Sequence, residues 1–168
     1  MKKSILGIVL VVVFMACPIK AEANSLSYIT PEEVDGIPTE IAQNAEIIGG
    51  QFDICPELLE AIAYQESHFI PTVTNGPCKG LMQVSTCHDD RFIEAGWSSS
   101  DWDDPYKNMY VAADYLHELF EEYEDVGVVL SIYHGESNAV SRAKSGKLSS
   151  YVKTILNRSE HFERMHGK

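Results

Sequence analysis

Basic residues are scarce in this sequence of 168 residues: 13 lysines and arginines stand against 25 aspartates and glutamates, which gives a formal net charge of −12. A chain this acidic is repelled by the phosphates of nucleic acids and by anionic lipid headgroups. The composition therefore predicts no nucleic-acid partner and no attachment to a charged membrane surface.

Patterns that bind metals, repeat or span a membrane are also missing. The 4 cysteines include no Cys-x-x-Cys pair, and the 6 histidines show no repeated ligand spacing, so we expect neither a metal site nor a cofactor. The one long apolar run, from Ile5 to Met15, is too short to cross a bilayer and predicts no stable membrane span. No internal repeat or low-complexity tract is found.

Residues 1–23 have the pattern of a secretory signal peptide. Lys2 and Lys3 precede the apolar run, and Ala21-Glu22-Ala23 fits a small-x-small cleavage site. The protein is therefore expected to be exported: secreted, periplasmic or associated with the cell wall. A second interpretation starts from Cys17, which ends the apolar run as in a bacterial lipoprotein signal, although Phe14 stands where such signals usually have leucine.

The rest of the chain reads as a loose lead-in over residues 24–37 and one domain over residues 38–168, long enough for a core of its own. Apolar periodicity predicts helices at 40–49, ended by Gly49-Gly50, and at 56–67, 90–95, 126–133 and 137–144, with longer helices after Asn108 and Leu148. Between residues 71 and 85 the glycines and prolines predict a loop with one or two short strands. The expected fold class is α+β and mostly helical, and a monomer is the simplest expectation.

Glu66 is the most informative residue, because it shares the apolar face of its predicted helix with Leu59, Ile62 and Ala63. Burying a carboxylate costs several kcal/mol unless the group is paired or protonated. A carboxyl group at this position is a candidate proton donor. The plain alternative is that the helix end frays and Glu66 lies in water.

Four short strings in the chain resemble, in order and separation, the motifs of the soluble lytic transglycosylase domain, a relative of goose-type lysozymes. They are Glu66-Ser67, Gly80-Leu81-Met82-Gln83, Tyr133-His134-Gly135 and Tyr151-Val152. The resemblance spans about residues 38–160 and implies a lysozyme-like single domain with a small strand element.

The resemblance also implies a substrate and a reaction. Members of that family cleave the β-1,4 bond between N-acetylmuramic acid and N-acetylglucosamine in peptidoglycan glycan strands. In them one glutamate, here Glu66, first donates a proton and then acts as base on the sugar's own C6 hydroxyl, which gives a 1,6-anhydro product. Since this acidic chain cannot attract a negatively charged wall, we expect it to hold the glycan by aromatic stacking and hydrogen bonds.

Four residues of the first two motifs would bind substrate if the resemblance carries over. Ser67 would hydrogen-bond near the cleaved sugar, or else simply end its helix. Gly80 would allow a close backbone approach, and Met82 would line the sugar groove or else fill the core. Gln83 would reach the acid or the N-acetyl group.

The last two motifs contribute aromatic residues. Tyr133 would pack and hydrogen-bond beside Glu66, and Tyr151 would orient its carboxyl group. His134 is a departure, because the family usually has asparagine there, so it either makes a comparable contact with substrate or weakens the motif. The segment before Tyr151 also lacks the acidic and threonine residues common in the family.

Two other functions stay open at this point. A lysozyme-type hydrolase would need a second carboxylate to direct water, and acidic residues that could approach Glu66 are Asp89, Asp90, Glu94, Asp101 and Glu136. A non-catalytic wall-binding module is less expected, since such a module would not need Glu66.

Three cysteines follow the predicted signal peptide. Cys78 and Cys87 flank the Gly80–Gln83 segment, and export places them in an oxidising setting, which predicts a bridge between them and leaves Cys55 free. The alternative is three free thiols.

Overall fold

Helices make up most of the chain between Gly36 and Lys168, which are the limits of what our computed structural model describes. The elements in chain order are α1 Thr39–Phe52, α2 Pro56–Ser67, β1 Thr74–Asn75, β2 Cys78–Lys79, β3 Val84–Ser85, α3 Asp89–Glu94, α4 Pro105–Glu122, α5 Val126–Tyr133, α6 Ala139–Lys144 and α7 Ser150–Met165. The predicted signal peptide, the lipidation alternative at Cys17 and nearly all of the 24–37 lead-in lie outside the described residues.

Local sequence signals set the starts of the long helices. Pro56 opens α2 and Pro105 opens α4, where a missing N–H costs nothing. The side chains of Asp104, Asp125 and Ser149 cap α4, α5 and α7 by accepting hydrogen bonds from backbone N–H groups in the first turn. The predicted limits of α2 and α5 are confirmed.

The predicted end of α1 at Gly49-Gly50 is wrong, because the helix continues to Phe52. It ends where Asp53 adopts a left-handed conformation and donates its N–H to the Gly49 carbonyl oxygen. Gly49 is needed for packing, since a Cβ there would collide with the carbonyl oxygen of Ile54. A glycine pair thus indicated a close contact rather than a helix end.

The strands form a small antiparallel sheet in the order β1-β2-β3. Thr74 pairs with Lys79 across the first ladder, and Cys78 pairs with Ser85 across the second. One or two strands were expected and three are present. The Gly80–Gln83 motif is the connection between β2 and β3, so the sheet places it.

Helix α2 occupies the centre of the domain, in contact with α1 and α7, while α1 also packs on α4. Every residue from Glu57 to Ala63 is buried, so α2 is covered all round rather than on one stripe. The architecture confirms the mostly helical, lysozyme-like α+β class. Within residues 36–168 no helix is both long and apolar enough to traverse a bilayer.

Candidate active site

Glu66 lies in the last turn of α2 and is partly buried. The hydroxyl of Tyr151, from the first turn of α7, donates a hydrogen bond to Glu66 Oε1. His134 stacks on the Tyr151 ring, with ring centroids 3.7 Å apart and planes tilted by 12°. Residues from three of the four motifs therefore meet at one carboxyl group.

Burial raises the pKa of Glu66 above its ordinary value, because few polar groups compensate its charge. The hydrogen bond from Tyr151 and the proximity of His134 act in the opposite direction and are the weaker influences. Leu59, Ile62 and Ala63, which share the helix with Glu66, are fully buried. This raised pKa favours the protonated form that a general acid needs.

Tyr133 also lies beside Glu66, but its hydroxyl is directed elsewhere. It donates to the carbonyl oxygen of Met82 over 2.7 Å. Burial and the nearby Glu66 charge raise the pKa of Tyr133 well above its usual range. Tyr133 is thus a neighbour of the carboxyl group without being its hydrogen-bond donor.

The Gly80–Gln83 connection is fixed from within the domain. Gly80 is buried and has φ +82°, and a Cβ there would collide with the Asn108 side chain and the Trp102 carbonyl oxygen. The close approach predicted at Gly80 therefore occurs, with protein groups on the other side. Gln83 adopts a left-handed conformation, and its side-chain N–H groups donate to the carbonyl oxygens of Val73 (3.0 Å) and Gly80 (2.9 Å).

Burial and hydrogen bonds bear on three expectations for this region. Met82 is fully buried, so its side chain fills the core rather than lining a sugar groove. The Gln83 amide nitrogen donates within the loop and not to Glu66, but Gln83 also lines the cleft described below, and its contact with the N-acetyl group stays a prediction. The buried Ser67 hydroxyl donates to the Ala63 carbonyl oxygen over 3.0 Å, within its own helix, and its contact with the sugar stays a prediction.

Asn108, in the first turn of α4, was missed by the sequence analysis. It is fully buried, and its Oδ1 accepts from the Met82 N–H over 2.8 Å while its Nδ2 donates to the Lys79 carbonyl oxygen over 3.1 Å. The available signal was its position four residues before Ala112, on the stripe that α4 buries. A buried amide needs partners, and here the motif loop supplies them.

A small cleft that is open to solvent lies near Glu66. Glu66 is outside its lining, but Cys78 and Tyr133 belong to the lining and both interact electrostatically with Glu66. The lining residues are Cys78, Gln83, Val84, Ser85, His88, Val111, Ala112, Tyr115 and Tyr133. Aromatic rings and short polar side chains of this kind suit a sugar.

Two of the five candidate second carboxylates, Glu136 and Asp101, are engaged in ion pairs. Glu136 forms an ion pair with Arg142 (3.0 Å) and interacts electrostatically with Tyr151. Asp101 forms one with Lys107 (2.7 Å). In the described part of the chain no hydrogen bond joins Glu66 to another acidic residue, and no group of three or more His, Cys, Asp or Glu side chains is arranged to hold a metal ion.

The bridge predicted between Cys78 and Cys87 is absent from the structure, in which Cys55, Cys78 and Cys87 are free thiols. Cys78 is half-buried on β2, whereas Cys87 is exposed and its Sγ lies 3.3 Å from Ser85 Oγ. Oxidation in the exported protein stays a prediction, for which peptide mapping without reductant is the test.

Comparison with known proteins agrees with this geometry. The model of the transglycosylase SLT domain family matches residues 43–154, most of the described domain and all four motifs. The chain belongs to this family. A protein of Enterobacteria phage PRD1 named "Transglycosylase" is 27% identical over 115 residues, which are 65% of this chain and 42% of that protein. The chain therefore spans less than half of the length of that relative.

Proposed function

We propose that this protein is a peptidoglycan lytic transglycosylase that cleaves the β-1,4 bond between N-acetylmuramic acid and N-acetylglucosamine, with Glu66 as its single acid and base. The observation that carries the proposal is a partly buried carboxyl group with a raised pKa, one hydrogen-bond donor and an adjoining cleft, in a chain of the SLT family.

The first step uses the protonated form of Glu66. Its proton passes to the glycosidic oxygen as the bond to C1 of the muramic acid breaks, and the N-acetylglucosamine end leaves as an alcohol. Burial raises the pKa of Glu66, which favours the protonated form, and the Tyr151 hydroxyl holds the carboxyl group in position.

The second step uses the carboxylate that remains. It accepts the proton of the C6 hydroxyl of the same sugar, and the C6 oxygen forms the new bond to C1, which gives the 1,6-anhydro ring. This nucleophile is part of the substrate, so it has the large effective concentration of an intramolecular reaction. The ion pairs of Glu136 and Asp101 support this single-carboxyl route, because they leave those groups engaged with cations.

Peptidoglycan lies outside the cytoplasmic membrane, so the proposed enzyme acts at the cell wall, in agreement with the export predicted from residues 1–23. Its net charge of −12 means that glycan binding relies on local contacts. In the cleft these are supplied by Tyr115, Tyr133 and neighbouring polar side chains.

A muropeptide digest tests the proposal. Mass spectrometry should show disaccharide-peptides one water lighter than hydrolysed products, and borohydride should leave them unreduced. Protein with Glu66→Gln, prepared in parallel, controls for contaminating wall enzymes. Reducing muramic acid ends would instead establish a lysozyme-type hydrolase, and binding without cleavage would establish a wall-binding module.

A further inference from the structure

Asn108 holds the main chain of the Gly80–Gln83 loop at two points. Its side chain accepts the Met82 N–H over 2.8 Å and donates to the Lys79 carbonyl oxygen over 3.1 Å, on either side of Gly80 and Leu81. The amide is fully buried, so water cannot replace either bond without entering the core. The position of Met82 therefore depends on Asn108.

Met82 in turn contacts Tyr133, which lies beside Glu66. While its N–H is held by Asn108, its carbonyl oxygen accepts the Tyr133 hydroxyl over 2.7 Å. Tyr133 is close enough to Glu66 for the two groups to interact electrostatically. A run of two hydrogen bonds thus connects α4 with the tyrosine beside the carboxyl group.

The direction of the Tyr133 hydroxyl matters because, among residues 36–168, the Glu66 side chain has one hydrogen-bond donor, Tyr151. The other titratable groups around it are His134, Cys78 and, through Tyr151, Glu136. A second hydroxyl donating to the carboxyl group would stabilise its charged form, so that a smaller fraction of Glu66 would carry the proton that the first step needs. The Met82 carbonyl oxygen prevents this by accepting that hydroxyl.

We propose that Asn108 is a positioning residue: by fixing the main chain of Met82, it keeps the Tyr133 hydroxyl bonded to the Met82 carbonyl oxygen and away from Glu66. The inference rests on the proposed role of Glu66 as the acid. It predicts that Asn108 acts on proton transfer without touching the glycan.

The test is Asn108→Leu, which removes both side-chain hydrogen bonds at nearly constant volume. We expect kcat to fall on the order of 10-fold with KM within about 2-fold. The basic limb of the pH–kcat profile should move to lower pH by about one unit, the size expected of one added hydrogen bond to a carboxylate. In a Tyr133→Phe background the same substitution should leave the limb where Tyr133→Phe alone puts it, since the hydroxyl is gone.

Matched variants separate positioning from simple loss of stability. Asn108→Asp keeps an acceptor for the Met82 N–H, so its basic limb should not move to lower pH. Ile48→Ala truncates a fully buried side chain of α1 and should lower stability without moving the limb. If Asn108→Leu does not fold, Asn108→Ser, whose side chain is too short to bridge α4 and Met82, should show the same shift.

An unmoved limb in folded Asn108→Leu or Asn108→Ser, or a shift that persists in the Tyr133→Phe background, would overturn the positioning role. Failure of the proposed function shows itself differently, as hydrolytic products or as undiminished lysis by Glu66→Gln.

Discussion

Helix α2 carries two buried glutamates in its first half and one partly buried glutamate in its last turn, and their surroundings differ. Glu57 and Glu60 lie in the first half, 0% and 1% exposed, while Glu66 lies in the last turn beside the cleft. All three side chains belong to one helix in one core. Burial alone therefore does not identify the functional acid.

At the start of α2, Glu57 is surrounded by donors. His166 Nδ1 and Lys168 Nζ approach its Oε1 to 2.9 and 2.7 Å, and Cys55 Sγ donates to its Oε2 over 3.0 Å. Burial by itself raises the pKa of Glu57. These hydrogen bonds outweigh that effect and hold the pKa of Glu57 at about 2. Glu57 is a permanently charged anchor for the end of α7 and the residues after it.

Glu60 shows the opposite extreme, one turn further along. Neither of its carboxyl oxygens has a hydrogen-bond partner in the described residues, and burial raises its pKa to about 7. Glu66 stands between these two cases, with a raised pKa, one donor and an adjoining cleft. The comparison teaches that a general acid needs incomplete compensation together with access to substrate.

The sharpest test of the comparison replaces each glutamate that has a raised pKa, Glu66 and Glu60, by glutamine, its neutral amide. Glu66→Gln should lower wall lysis at least 10²-fold, because it removes the group that carries the proton. Glu60→Gln should leave lysis within about 2-fold, since Glu60 is sealed in the core. Lysis rates on purified peptidoglycan, with circular dichroism to check folding, measure both. Retention of more than about a tenth of the activity in Glu66→Gln would sink the assignment.

Among substitutions at the start of α2, Glu57→Gln is expected to have the largest effect on stability. Loss of the charge weakens three hydrogen bonds to a fully buried group, for a cost of about 2 kcal/mol in the free energy of unfolding. Urea denaturation at neutral pH measures it. Glu46→Gln, an exposed partner of Lys168, is the control and should change stability by less than about 0.5 kcal/mol. Equal effects would mean that Glu57 is no anchor.

Sequence reasoning reached Glu66 and missed Glu57 and Glu60 for one reason. It assumed one apolar stripe on α2, through Leu59, Ile62 and Ala63, whereas α1 and α7 cover the helix on several sides. Helix periodicity reports which residues could share a face, but the neighbours that bury the other faces come from distant parts of the chain. The end of α2 was predictable because the motifs marked it.

The same limit applies to the motif loop. The resemblance implied that Tyr133 and Tyr151 would lie beside Glu66, and the hydroxyl of Tyr151 does donate to the acid. The roles of Met82 and Gln83 depended on which way each side chain turns, which is set by a left-handed residue and by Asn108. Neither the left-handed backbone of Gln83 nor the hydrogen bond with Asn108 can be predicted from the four motifs alone.

The raised pKa of Glu60 also predicts how the free energy of unfolding depends on pH. Its folded-state pKa of about 7 lies above the ordinary value of 4.5, so between these pH values the folded protein retains a proton that the unfolded chain releases. Glu60 therefore contributes a loss of stability as pH rises from about 4.5 to about 7, and the loss levels off above that range. Urea midpoints at pH 5, 6 and 8 should fall less steeply in Glu60→Gln than in the wild type. Because Glu66 contributes in the same direction to both proteins, the difference isolates Glu60, and parallel curves would contradict the assignment.

The smallest expected effect is at Tyr151, whose hydroxyl donates to Glu66. Tyr151→Phe keeps the ring that stacks on His134 and removes the hydroxyl whose hydrogen bond lowers the pKa of Glu66. That pKa should rise further, so the basic limb of the pH–kcat profile should move to higher pH by about half a unit to one unit, with a loss of a few-fold in kcat from poorer orientation. This shift is opposite in direction to the one expected for Asn108→Leu, which makes the pair more informative than either variant alone.

Tyr106→Phe, on the part of α4 that packs against Trp97, controls for loss of a tyrosine hydroxyl elsewhere and should leave the profile unchanged. A limb that stays in place or moves to lower pH in Tyr151→Phe would mean that Glu66 is tuned by burial alone and that the tyrosine only supports the fold.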